Sequence, residues 1–188
     1  MSQIFKKQYK EKVLPALAEV LGTKNIWAVP RIKKIVVSAS FGARAKDDSP
    51  LVVAMEKNLT DITGQRPIKT LAKTSISNFK IRKGMFLGYK ITLRGKRMFD
   101  FIYKLLNINM PRIRDFGGIS VANIDSSGNL NIGLKEQIAF LEIAPEGIEK
   151  LHGLEIAIVT SAKSQKEGLE LFRLLGFPFK ELKDKDTK

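Results

Sequence analysis

The chain has 188 residues and no cysteine, which excludes disulfides, thiolate zinc sites and cysteine nucleophiles outright. That absence fits a reducing compartment without demanding one. There is one histidine, His152, so a metal site of the His/Cys kind cannot be built. His152 stands between Leu151 and Gly153 in a turn-like segment and reads as structural. No apolar run approaches the roughly 20 residues that span a bilayer, so no membrane partner is expected. The segment from Met1 to Lys7 lacks an apolar signal core and a small-residue cleavage site, and reads as a mature cytosolic start. Asn58-Leu59-Thr60 matches a glycosylation sequon, but without a secretory signal the match reads as chance.

The sharpest absence is of one charge. From Ile62 to Phe99 there is no Asp or Glu, while Arg66, Lys69, Lys73, Lys80, Arg82, Lys83, Lys90, Arg94, Lys96 and Arg97 supply ten positive charges. The whole chain is +14, so this run holds most of the excess. Within it, Pro67 to Leu71 and Met85 to Leu93 read as strands flanking a polar loop, Ala72 to Gly84. A solubility surface mixes both signs. A one-sign loop needs something outside itself, and a polyphosphate backbone is the commonest candidate. Lys6, Lys7, Lys10 and Lys12, set against the single Glu11, make a second possible phosphate contact.

Catalytic signatures are missing. Ser77-Asn78-Phe79-Lys80 has the Ser-x-x-Lys spacing of acyl-serine enzymes, without their Ser-Asp-Asn or Lys-Thr-Gly elements. Gly128 to Gly133 is no phosphate loop, because Leu134 stands where that motif needs Lys. No pair of carboxylates is nominated for hydrolysis, and no cofactor is implied. The chain does not read as an enzyme.

The elements alternate between helix and strand. Ile4, Tyr9, Val13, Leu17 and Leu21 mark an amphipathic helix, with Pro15 predicting a kink or break near Leu14 and Gly22 a stop. Ile32 to Ala39 reads as a strand and Phe41 to Lys46 as a loop. Ser49-Pro50, behind Asp47 and Asp48, should start a helix through Met55, Leu59 and Ile62 to Gly64. After the basic hairpin, Gly95 opens a helix over 96–107, with Met98, Phe99, Ile102, Leu105 and Leu106 on one apolar face and its aromatics in the core. Asp125 to Asn129 is a turn signal, and flanking apolar stretches suggest another hairpin. Leu154 to Thr160 reads as a buried strand, and Ser164-Gln165-Lys166-Glu167 as a capping box for a helix ending at Gly176. These units favour antiparallel pairing and a two-layer α+β domain, with helices on one sheet face and the other face free to bind. One domain over 1–180 and a charged, flexible tail over 181–188 are expected.

Four ordered blocks resemble one known family. They are Leu59 to Ser75 (LTDITGQRPIKTLAKTS), Ser75 to Met85 (SISNFKIRKGM), Lys90 to Gly95 (KITLRG) and Pro111 to Phe116 (PRIRDF). Weaker echoes follow in Gly133 to Gln137 and Leu174 to Phe179. Together they are similar to the universal large-subunit ribosomal protein L-five, of bacterial or organellar type, over about residues 3–180. The resemblance implies a cytoplasmic, non-catalytic protein of the large ribosomal subunit, placed in the central protuberance. Its implied partners are 5S rRNA, 23S rRNA, peptidyl-site tRNA, other 5S-binding proteins and a small-subunit protein across the subunit bridge. On that resemblance the 5S-facing sheet residues fall on Gln65, Thr92 and, at an Asn-type position, Ser38. Lys33, Arg66, Lys69, Lys90 and Arg94 join them as expected rRNA contacts. The tRNA-facing loop corresponds to Lys73 to Gly84, with Lys73, Ser75, Ser77, Asn78, Phe79, Lys80, Arg82 and Lys83 as expected contacts.

Three roles stay open at this level. Gln65 suits either RNA contact or helix-exit chemistry after Gly64. Phe79 suits either stacking on a base or ribose, or anchoring the loop on its own domain. Arg112 and Arg114 suit either RNA or protein. The chain also departs from the family's usual residues at Ser38 (Asn), in Phe41 to Arg44 (Gly-rich, often acidic), and at Gly117 (Arg), Leu130 (aromatic) and Leu141 (Pro).

Overall fold

The structure is a computed structural model that describes residues 2–23, 25–41, 50–113, 116–143 and 151–180, the side chains of 2–4 aside. The segments 42–49, 144–150 and 181–188, with Arg114 and Asp115, lie outside the described residues. So do the expected loop after Phe41, the Ser49 cap and the charged tail.

Pro15 bends the rules of the first helix without ending it. Helix α1 (Ser2–Gln8) passes into a π-helical turn (Tyr9–Val13) and then into α2 (Leu14–Val20), with Pro15 in the first turn of α2. Proline has no N–H and its ring crowds the preceding turn, so the ladder widens just ahead of it. The Leu14 amide bonds the Tyr9 carbonyl, five residues back. Gly22, at φ +64°, then closes α2: its N–H bonds the Glu19 carbonyl and that of Thr23 bonds the Ala18 carbonyl.

Strand β1 (Ile32–Ser40) is followed by α3 (Pro50–Thr63), β2 (Ile68–Leu71) and β3 (Phe86–Leu93). Then come α4 (Gly95–Lys104), β4 (Leu130–Leu134), β5 (Leu154–Thr160) and α5 (Gln165–Leu174). A second π-helical turn (Leu105–Asn109) extends α4 beyond the expected end at Asn107. The five strands form one sheet in the order β2-β3-β1-β5-β4. This is the expected α+β architecture. No helix among the described residues is long and apolar enough to cross a membrane.

The chain divides into two compact units. The first comprises Met1–Lys33, Ile102–Ile132 and Ile158–Lys188. Its core includes Leu17, Ile102, Leu105, Met110, Leu130, Leu171 and Phe172, with Phe172 edge-on to Phe177 at 5.3 Å. The turn at Asp125 has one carboxylate accepting from the amides of Ser127 and Asn129 and from the Asn129 side chain. Desolvation raises the Asp125 pKa, but these bonds outweigh it and hold the carboxyl below its usual value. The expected second hairpin is reduced to a single bridge between Ile124 and Leu130. Asn129 instead receives the Thr160 amide at 2.9 Å, and the Thr160 hydroxyl donates to the Gly128 carbonyl at 2.9 Å. Gly168 on α5 lies against Gly128, where a Cβ on Gly168 would come within 2.6 Å of the Gly128 Cα. The capping box is partly reciprocal: the Ser164 hydroxyl accepts from the Glu167 amide, while Glu167 accepts from the Lys163 amide, one residue earlier than expected.

The second unit comprises Lys34–Phe101 and Gly133–Ala157. Its core gathers Ile35, Val37, Met55, Leu59, Ile62, Ile91, Leu93 and Phe140. Phe41, Phe86 and Tyr89 pack as successive edge-to-face pairs at 5.0 Å. His152 is buried here. Its amide donates to Gln137 Oε1 at 2.8 Å, its Nε2 lies 3.2 Å from Asn58 Nδ2, and its Nδ1 lies 3.3 Å from the Gly153 carbonyl. A neutral ring with the proton on Nδ1 satisfies both contacts, donating to Gly153 and accepting from Asn58. Burial lowers its pKa, with the Gly153 bond opposing. His152 is therefore structural, as its sequence setting implied.

Two stability measurements check these arrangements. Gly168→Ala should cost about 1–3 kcal/mol in urea unfolding, despite alanine's better helix propensity, because the methyl group meets Gly128 backbone. His152 has a folded pKa below its unfolded value, so the unfolded chain takes up its proton first. Stability should fall as pH drops below about 6.5 and keep falling until the folded imidazole is charged. His152→Gln should flatten that part of the pH–stability curve.

Candidate nucleic-acid interface

Strand β3 arranges the expected sheet contacts. It runs antiparallel to β1, with Val36 opposite Thr92 and Ser38 opposite Lys90. It also runs antiparallel to β2, with Ile68 opposite Lys90 and Thr70 opposite Gly88. Ile68, Lys90 and Ser38 thus form one rung across three strands, and Val36 and Thr92 lie along the same face. The other face carries Tyr89, Ile91 and Leu93 beside Ile35, Val37 and Ala39, all buried. Helix α3 packs on that buried side, where the Tyr89 hydroxyl donates to Glu56 at 2.9 Å. Lys90 is left exposed, with Ser38 and Thr92 half-buried on the open face.

Alternation separates two of the expected residues from this group. Lys33 shares the parity of Ile35 and Val37, so Lys34 rather than Lys33 takes the side of Ser38. Lys69 pairs with Tyr89 in register and reaches Phe86, its ammonium 4.9 Å from the ring centroid. Arg94 follows the end of β3 and is exposed.

Gln65 and Arg66 sit where α3 hands over to β2. Gly64, at φ +66°, performs the helix exit itself, its amide bonding the Thr60 carbonyl at 2.7 Å. The side chain of Gln65 is released from that task and accepts from Arg97 at 3.3 Å. Arg66 pairs with Glu56 at 3.3 Å, and its side chain remains 87% exposed. Among the described residues the basic run therefore has one acidic ion-pair partner, Glu56, supplied by α3 from outside the run. Ser38 also meets a carboxylate, donating to Glu155 at 3.3 Å. Sequence reading named Arg97 only as one of the bases of the run, without its partner Gln65, and did not reach Glu155 or Lys34 as parts of the sheet face. Their signal was their position in register and space, which no local motif carries.

The basic loop has internal structure. The amides and carbonyls of Ile76 and Ile81 exchange two hydrogen bonds, 2.9 and 3.1 Å, around a 3-10 turn at Ser77–Phe79. At its base the Ala72 amide bonds the Met85 carbonyl, and the Gly84 amide bonds the Ala72 carbonyl. The Ser75 hydroxyl accepts from the Lys83 amide at 2.9 Å, so Ser75 supports the loop's shape. Lys80 has φ +55°, the one non-glycine residue with positive φ among those described, and so carries backbone strain at the tip. Residues 73–80 are all exposed, Phe79 to 66%. Phe79 thus does not anchor the loop on its own domain. Among the described residues, Lys73, Lys80, Arg82, Lys83, Lys90 and Arg94 have no ion-pair partner. An exposed, hydrogen-bonded loop whose cations have no ion-pair partner among the described residues is suited to phosphate contact, with Phe79, Ser77 and Asn78 at the tip available for stacking and hydrogen bonding.

Comparison with known proteins assigns the sequence to a family. Residues 25–82 match the family of ribosomal protein L5, and residues 86–179 match the C-terminus of the same ribosomal family. The chain is 47% identical over 176 residues to large ribosomal subunit protein uL5 of Halothermothrix orenii, covering 94% of this chain and 98% of that protein. It is 47% identical over 175 residues to large ribosomal subunit protein uL5 of Thermus aquaticus, covering 93% and 96%. The uL5 protein of Dictyoglomus thermophilum is also 47% identical, over 178 residues, covering 95% of this chain and 99% of that protein. With matches spanning nearly its whole length and bacterial relatives at 47% identity, the chain belongs to the ribosomal protein L5 family, structural proteins of the large ribosomal subunit and not enzymes.

Proposed function

We propose that this large-subunit protein holds 5S rRNA on its open sheet face. The basic loop from Lys73 to Gly84 reaches toward peptidyl-site tRNA. In this reading 23S rRNA, other 5S-binding proteins and a small-subunit protein are further neighbours. The observation that carries it is the exposed loop cluster of Lys73, Lys80, Arg82 and Lys83, which has no ion-pair partner among the described residues. Such charges release counterions from a phosphate backbone and position the RNA. The sheet face divides the labour: Lys90 and Arg94 meet phosphates, while Ser38, Gln65 and Thr92 offer short polar groups to 2′-hydroxyls and base edges. Gln65 holds Arg97 at 3.3 Å, so an arginine joins that group. Glu155 beside Ser38 repels phosphate locally, which favours a hydroxyl or base edge at that point over the backbone.

Purified protein titrated with 5S rRNA across a salt series tests this directly. Binding should resist tRNA and an unrelated stem-loop as competitors, and a slope near about −4 corresponds to roughly four or five phosphate contacts. Binding that any RNA displaces would leave only a generic polyanion surface. Gln65→Ala combined with Thr92→Ala should cost about 1–3 kcal/mol of 5S affinity, from two lost hydrogen bonds, without unfolding the protein. Unchanged affinity would sink that assignment. Lys80→Ala, Arg82→Ala and Lys83→Ala together should preserve folding and 5S binding while weakening tRNA-dependent function in reconstituted subunits. Loss of 5S binding in the triple variant would refute the division between sheet and loop.

A further inference from the structure

The connector between α2 and β1 carries a feature that neither the sheet face nor the basic loop explains. Trp27 is the only tryptophan in the chain and is 82% exposed, the most exposed of the large hydrophobic residues described. Leaving an indole in water forfeits the burial that normally stabilises so large an apolar side chain. Nor is Trp27 a loose side chain on a loose loop. Its amide donates to Asn25 Oδ1 at 2.9 Å, and the Ala28 amide bonds the Asn25 carbonyl at 3.0 Å, which folds the connector into a turn.

Arg31 completes the arrangement. Its guanidinium carbon lies 4.7 Å from the Trp27 ring centroid, and its Nη2 donates to the Ile26 carbonyl at 3.1 Å. The Arg31 backbone is pinned in turn: its amide donates to the Ser161 hydroxyl at 2.8 Å and its carbonyl accepts from the Ser161 amide at 2.8 Å. Among the described residues Arg31 has no carboxylate partner, and the connector 25–31 contains no Asp or Glu. Lys33 and Lys34 follow immediately. An exposed indole pre-oriented by a cation that has no carboxylate partner among the described residues matches the chemistry of a base-stacking platform on RNA.

We infer that Trp27 and Arg31 form a separate RNA contact, in which an unpaired nucleobase stacks on Trp27 while Arg31 meets the adjoining phosphate. The charge decides between occupants. An apolar protein partner would use Trp27 with its exposed neighbour Ile26, but would bury the guanidinium over the ring without a counter-charge. An RNA strand supplies a π-face and a negative charge together. Only the class of ligand rests on the ribosomal reading.

Trp27 is its own reporter. Full-length protein is titrated at low salt with a single-stranded adenylate dodecamer, with a blunt RNA duplex and inorganic polyphosphate as controls. Tryptophan emission and the anisotropy of end-labelled RNA are followed together. The expected result is that the single strand quenches emission by about half or more, whereas duplex and polyphosphate bind with little quenching. Trp27→Ala should weaken single-strand binding about tenfold and Trp27→Phe much less, because a phenyl ring still stacks. Unchanged melting temperature in both variants would show that the folded state is retained. Binding by anisotropy with unaltered emission, and full affinity in Trp27→Ala, would overturn this contact and leave the ribosomal reading standing. No binding of any RNA would overturn both. Emission that changes with protein concentration alone, with a dimer in sedimentation, would assign Trp27 to a second copy of the chain and overturn the inference.

Discussion

Strand β3 lies between two environments, and the candidate interface depends on its staying in register. Tyr89, Ile91 and Leu93 sit in the core against α3, while Lys90 and Thr92 occupy the open face between them. A slip of one residue would bury Lys90 and expose Ile91, so the hydrophobic alternation that holds the sheet together also aims its polar residues. Glu56 reinforces this choice from the helix side. It accepts from the Tyr89 hydroxyl and pairs with Arg66, tying α3, β3 and the start of β2 to one carboxylate. Gly88 permits the approach of β1, since a Cβ there would come within 2.4 Å of the Ala39 carbonyl oxygen.

The basic loop is held in a different way. It carries no buried apolar core of its own: Ile76 and Phe79 are exposed, and its shape comes from paired backbone bonds and the Ser75 hydroxyl. Backbone ordering costs entropy, and like charges oppose bringing Lys80, Arg82 and Lys83 together. The hydrogen-bonded hairpin and the irregular register between Thr70 and Leu71 set the loop's path, and the side chains are left free for a partner. In the proposed function a polyanion would relieve that repulsion, so the charge that opposes the free loop would favour binding.

Much of the fold was readable from local chemistry. Alternation outlined β1 and β5, glycines at 22, 64 and 176 marked three helix stops, and Pro15 announced a disturbance near Leu14. The form of that disturbance, a π-helical turn, was not readable, because a wider ladder and a clean break meet the same missing N–H. The capping signal at Ser164 located α5 but not the partner of Glu167. The hairpin at Asp125 was overstated, because its flanking residues bond Thr160 and the Gly128 region packs on α5 instead of continuing a ladder.

The sequence by itself determined the charge imbalance, the family and most of the element types. Those properties reside in composition and short-range pattern, where each residue's preference depends on its near neighbours. Only the tertiary structure decided that Lys34 rather than Lys33 shares the face of Ser38, that Gln65 holds Arg97, that Arg66 has an acid and that Glu155 stands beside Ser38. It also decided that Phe79 stays in solvent and that Arg31 lies over Trp27. These are outcomes of strand phase and packing between distant segments, and no spacing along the chain encodes which side chains the folded backbone will bring within a hydrogen bond of each other.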